Sequence, residues 1–235
     1  MRGKFVGLDG ESVVLEHDPD LPDATYAVSP WCVVTVNGQP GKLDDLRPGD
    51  ELVLLGVPVV SIDNKVSLFE SNAIAEYLDE TIAPRLHPDD PVQRAINRAW
   101  TDYLPTFSEM VTGQAYADDE AAYKAAVAKI PVAFERLERA LQTQGAGPFF
   151  NGAKYSLVDA AYAPFLQRYG FLDRIRPLGV IEKFPRLKAW TEALLKRPST
   201  HSFPEAEFEA LYRLNVKLRK KWLSQFIADQ AVAAE

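Results

Sequence analysis

The chain changes its periodicity once, near residue 56, and that break limits it to an architecture of two unlike parts. Before the break, apolar residues come in short alternating runs closed by turn residues, a period that suits strands. Lys4–Leu8, Ser12–His17, Thr25–Val28, Val33–Val36 and Glu51–Leu55 are predicted strands, rich in Val, Thr and aromatics. Asp9-Gly10 and Asn37-Gly38 are two-residue hairpin signals, because a tight primed turn needs residues that tolerate positive φ. Leu43–Leu46 reads as a single helical turn, and Arg47-Pro48-Gly49-Asp50 as a turn into the fifth strand. Five short strands in so few residues predict a small barrel of SH3 or OB type.

After residue 80 the apolar positions recur every three or four residues, which predicts helices. Pro91–Met110 and Glu120–Gln142 carry the pattern, the latter through Ala126, Ile130, Phe134, Leu137 and Leu141. Ser156 followed by Asp159 has the spacing of a capping box and opens another helix. A further helix starts with Phe184-Pro185, proline falling in its first turn, and stops at Arg197-Pro198. Glu205–Gln230 is the last. Between the two regions, residues 57–69 alternate around Asp63-Asn64 as a β-hairpin, and Glu70-Ser71 starts a helix. The fold class expected is therefore α+β: a small β-barrel-like domain over residues 1–56, a hairpin-plus-helix segment over 57–82, and an all-α domain over 83–235.

Charge separates the same two parts. Residues 1–56 hold 4 Lys and Arg against 10 Asp and Glu, a net of −6, whereas residues 57–235 hold 22 against 23. An acidic N-terminal piece repels a phosphate backbone, so nucleic acid is not expected as a partner. No run reaches the eighteen or so apolar residues that a membrane helix needs, and the N-terminal residues lack the apolar core of a secretory signal. The single cysteine, Cys32, makes no internal disulfide, and His17, His87 and His201 are scattered, so no metal is expected. The expected location is the cytoplasm. Arg213, Lys217, Arg219, Lys220 and Lys221 read as the solvated face of the last helix, and His87 as a turn residue without a base or nucleophile nearby.

Two stretches resemble known sequences. Val34 to Asp50, "VTVNGQPGKLDDLRPGD", is similar to a small bacterial β-barrel module. Val57-Pro58-Val59, the hairpin, and "FESNAIAEYLDE" from Phe69 to Glu80 resemble the glutathione S-transferase family. Asn151-Gly152, "SLVDAAYAP" from Ser156 and "FPRLKAW" from Phe184 carry the resemblance through the helices. It implies that residues 57–82 are a partial thioredoxin-like segment and 83–235 the helical transferase domain. It also implies glutathione as co-substrate, a small hydrophobic electrophile as second substrate, and a homodimer.

By that resemblance, Val57 before Pro58 offers its backbone to the cysteinyl part of glutathione, and Pro58 is a candidate for a cis peptide. Ser71, at a helix start whose free amides and dipole favour an anion, receives the γ-glutamyl carboxylate, and Glu70 the neighbouring ammonium. Trp100, Tyr103, Phe107 and Tyr162 would face the electrophile. Asp159 is assigned to folding, as the capping aspartate of its helix. The catalytic residue stays unassigned, because the strand–helix–strand unit that carries the family's Tyr, Ser or Cys is replaced by the acidic strands. Ser29-Pro30-Trp31-Cys32 has the wording of serine- and cysteine-type members, yet Val33–Gly38 alternates and turns where a helix is required. The reading is a fusion protein that binds glutathione with weak or no turnover. The alternative is a non-catalytic scaffold of the same fold whose N-terminal β domain recruits a partner.

Overall fold

In the computed structural model, residues 2–9, 12–16, 24–27, 34–36, 39–41, 43–53, 59–62, 66–143, 146–201 and 204–227 are described. The chain divides into two units, Met1–Ser71 and Asn72–Glu235. In the first, alternation produces strands as expected. β1 (Arg2–Asp9), β2 (Ser12–Glu16), β3 (Ala24–Ala27) and β6 (Glu51–Val53) form an antiparallel sheet in the order β3-β2-β1-β6. Its buried side chains include Phe5 and Val13, while Val6 and Leu8 face out. The Arg47–Asp50 turn closes on β1: Phe5 N–H donates to Asp50 O at 2.8 Å and Gly49 N–H to Phe5 O at 2.7 Å. Gly49 takes φ +93°, which a β-carbon would oppose.

The barrel expectation is corrected here. β4 (Val34–Val36) and β5 (Gln39–Gly41) pair only with each other among the described residues, in register Val36↔Gln39, and Asn37-Gly38 lies outside the described residues. A barrel closes only when its edge strands find partners. Among the described residues β3 and β6 remain the two edges of an open sheet. The first hairpin is also shifted by one residue. Asp9 pairs with Ser12, so Asp9 is a strand residue rather than part of the turn. β7 (Val59–Ile62) and β8 (Val66–Phe69) form the expected hairpin, in register Ile62↔Val66.

The second unit is helical: α1 (Ser71–Thr81), α2 (Pro91–Thr112), α3 (Glu120–Val127), α4 (Ile130–Thr143), α5 (Leu157–Ile175), α6 (Pro185–Leu195) and α7 (Glu205–Leu218). Asp90 caps α2 by accepting from Gln93 N–H at 2.8 Å, and Pro91 occupies the first turn, where no amide partner is needed. The apolar spacing of α4 buries Ile130, Phe134 and Leu137 completely. They meet Phe107 of α2, Tyr162 and Leu166 of α5, and Leu187 and Leu194 of α6 in the main core.

Two helix expectations are corrected. Residues 120–142 are two helices, broken at Ala128-Lys129. Pro131 disfavours helical geometry at the residue before it and suits a first turn, so a new helix starts there. The last helix stops at Leu218 rather than Gln230. Lys220 adopts φ +53°, and a 3₁₀ turn at Trp222–Phe226 folds back. Trp222 N–H donates to Ala117 O at 2.9 Å, and Leu223 is fully buried in a second core with Ala115, Tyr123, Leu172 and Val216.

Asp159 organises the centre of this unit. Its carboxylate is fully buried. It accepts from Ser156 N–H at 2.8 Å, Ser156 Oγ at 2.6 Å, Phe150 N–H at 2.8 Å and Trp190 Nε1 at 2.7 Å. Caps of this kind satisfy amides that a helix start leaves free. Here one side chain fastens the loop before α5, the start of α5 and the middle of α6.

Candidate functional site

The helix start at Glu70-Ser71 is built by the backbone. Ser71 is the first residue of α1, and Glu70 before it holds φ +70°. A non-glycine residue in that region carries strain, and such strain collects at ligand sites. Both side chains are exposed. The first amides of an eleven-residue helix lack intrahelical partners, so they and the helix dipole favour an anion at this end. Val57 and Pro58 lie outside the described residues, as does Ser29-Pro30-Trp31-Cys32.

Polar contacts anchor α1 to its own unit. Asn72 Nδ2 donates to Thr101 O on α2 at 3.2 Å. Buried Asp79 accepts from Leu86 N–H at 2.5 Å and from His87 N–H at 3.3 Å. Glu76 bonds His87 Nε2 at 2.7 Å and takes Arg98 Nε and Nη2 at 3.0 and 2.6 Å. His87 thus has a carboxylate partner, contrary to the sequence expectation. Partial burial works to raise the Glu76 carboxyl, but Arg98 and His87 outweigh it and hold its pKa below the ordinary value.

The four aromatics separate into two kinds. Phe107 and Tyr162 have no exposed surface and belong to the core, their rings 4.9 Å apart. Tyr162 donates its hydroxyl to Trp100 O at 2.9 Å, and burial pushes its phenol pKa up. Trp100 and Tyr103 are half-buried, edge to face at 5.8 Å, with the Arg136 guanidinium 3.9 Å over the Tyr103 ring. A cation held on an aromatic face stiffens both partners.

The basic face of α7 is largely internally paired. Arg213 bonds Glu209, Arg219 bonds Asn215, and Lys221 bonds Asp118. Among the described residues no cluster of three or more His, Cys, Asp or Glu could hold a metal, and no helix is long and apolar enough to cross a membrane.

The helical architecture has counterparts among known proteins. Residues 120–193 match the family model "Glutathione S-transferase, C-terminal domain". Glutathione S-transferase L1 of Arabidopsis thaliana is 32% identical over 160 residues, covering 66% of this chain. The chain spans 64% of the length of that relative. Among solved structures, the Tau class glutathione S-transferase MiGSTU from mango, Mangifera indica, is similar with a TM-score of 0.58 and 29% identity. That match covers 67% of this chain and 76% of the mango chain. Rice GST1, solved in complex with glutathione, gives a TM-score of 0.54 at 25% identity, over 65% of this chain and 71% of its own. The helical unit has the glutathione S-transferase fold.

Proposed function

We infer that the chain binds glutathione at the start of α1 and transfers it, as a thiolate, to small hydrophobic electrophiles. The observation that carries this reading is Ser71 at the first position of α1 behind a left-handed Glu70, in a chain whose helices have the transferase fold. The rice homologue was solved with glutathione, which supports the same ligand here. In the proposed site the γ-glutamyl carboxylate accepts from the Ser71 hydroxyl and the first amides of α1, and Glu70 faces the ammonium. Val57, ahead of Pro58, pairs with the cysteinyl backbone. The sulfur attacks an electrophilic carbon; the S–C bond forms, the leaving group departs with its electron pair, and the thiol proton passes to solvent. Trp100 and Tyr103 offer surface to the electrophile, with Phe107 and Tyr162 as rigid backing.

Turnover is slow, because a free thiol with a pKa near 8.5 is only a few per cent thiolate at neutral pH. No residue of the site lowers that value in our reading. The rate gain then comes from holding two reactants together. The acidic β unit is a fused addition, the assembly is a homodimer, and the setting is the cytoplasm, where reduced glutathione is the main thiol. Calorimetric titration of glutathione into wild type and Ser71→Ala tests the reading. Loss of a charge-assisted bond should weaken binding roughly tenfold or more. Equal affinities would refute the assignment.

A further inference from the structure

Residues 84–89, between α1 and α2, and the loop before α5 line a groove of about 580 Å³ that includes neither Glu70 nor Ser71. Arg85 and Lys154, both exposed, bring two cations to its lining, and Asp89 brings a carboxylate. Two more lining residues hold buried polar atoms that have no partner among the described residues: His87 at Nδ1 and Asn151 at Nδ2. Buried groups in that state are rare and costly, so two of them in one lining mark a place where something else supplies the partners. His87 is 4% exposed, and its other ring nitrogen is already engaged, Nε2 bonding Glu76 at 2.7 Å. With the Nε2 proton given to that carboxylate, Nδ1 accepts when the ring is neutral and donates when it is charged. Asn151 Nδ2 can only donate.

We propose that this groove binds a hydrogen phosphate ion. Such an ion carries two kinds of oxygen: the bare ones accept hydrogen bonds and the protonated one donates. The lining meets both. Arg85, Lys154 and Asn151 Nδ2 donate to the bare oxygens, with the guanidinium and ammonium supplying charge. Nδ1 of the neutral His87 ring accepts from the P–O–H group. Sulfate has the same shape but no proton at neutral pH, so it leaves Nδ1 unpaired and meets Asp89 as a bare dianion. A phosphate monoester fails in the same way above its second pKa of about 6. A carboxylate ion also lacks the hydroxyl. Nδ1 and Nδ2 are closed to solvent in the ligand-free chain, so entry of the ion parts residues 84–88 slightly from residues 151–155.

The test titrates inorganic phosphate, sulfate and methyl phosphate into the full chain by calorimetry at about pH 7.5, above the second pKa of the monoester. Phosphate should bind wild type roughly tenfold or more tightly than either analogue, because a site built around a hydroxyl rejects ligands without one. Lys154→Gln and Arg85→Gln change exposed side chains, and each should weaken phosphate severalfold. His87→Phe keeps a ring but removes the acceptor, so its affinities for phosphate and sulfate should converge. In wild type, the His87 Nδ1 resonance in a ¹⁵N spectrum should move with phosphate and stay in place with sulfate. Phosphate and sulfate bound alike would show adventitious binding to surface cations and overturn the proposal. No binding at millimolar phosphate, or an Nδ1 resonance that phosphate leaves unmoved, would show that only water satisfies these atoms and would overturn it too. If His87→Phe loses its native spectrum, the phosphate-to-sulfate ratio of wild type and the Lys154→Gln titration decide.

Discussion

At the residue scale, a few buried polar side chains carry far more than their share. Asp159 takes four bonds from three segments, so replacing it leaves several buried donors without an acceptor. Asp159→Ala should destabilise the protein by about 3 kcal/mol or more, read as a shift of the urea midpoint, with Asp159→Asn in between. Glu76 makes a different statement. Its pKa is depressed in the folded chain below the ordinary 4.5, so its contribution is present above that pH and is lost as pH falls through the folded value. Wild type should therefore lose Tm more steeply than Glu76→Gln below about pH 4.5. Parallel curves would show that the Arg98 and His87 contacts do not matter to stability. Asp159 was legible in the sequence because Ser156 stands three residues before it. The Glu76–His87 bond was not, since eleven residues and a change from helix to turn separate the partners.

At the element scale, the limits of legibility follow from what ends each segment. Strands β1, β2 and β7 and helices α2, α5 and α6 were readable, because turn residues, a capping box and prolines bound them locally. The strand pairing was not readable, since whether an edge strand closes a barrel depends on partners that no local pattern names. The end of α7 was missed because no glycine or proline announces it. Lys220 is driven into left-handed geometry by the pull of Trp222 toward Ala117. That residue occupies the position where helices commonly end in glycine. Lys220→Gly should then stabilise the chain by about 1 kcal/mol, measured by denaturant unfolding. Lys220→Ala should have little effect, because alanine keeps the β-carbon. Equal stabilisation by both would attribute the effect to charge instead.

At the scale of the whole molecule, an acidic β unit and a transferase-type helical unit share one chain, each with buried apolar residues of its own. Exposed Leu78, Ile82 and Val92 lie near the α1–α2 corner of the helical unit, surface that a second copy could cover. Light scattering at micromolar concentration should give a dimer, twice the 26.2 kDa of the chain. A monomer would set the homodimer proposal aside. The two cores of the helical unit also differ in when they can exist. Every buried residue of the main core lies between Phe107 and Leu194, whereas the smaller core waits for Val216 and Leu223. Chains emerge from the ribosome N-terminus first and fold as they are made. The main core can therefore assemble first, while Ala115, Ala117, Tyr123 and Leu172 stay uncovered, an apolar surface open to chaperones until residue 223 has left the ribosome.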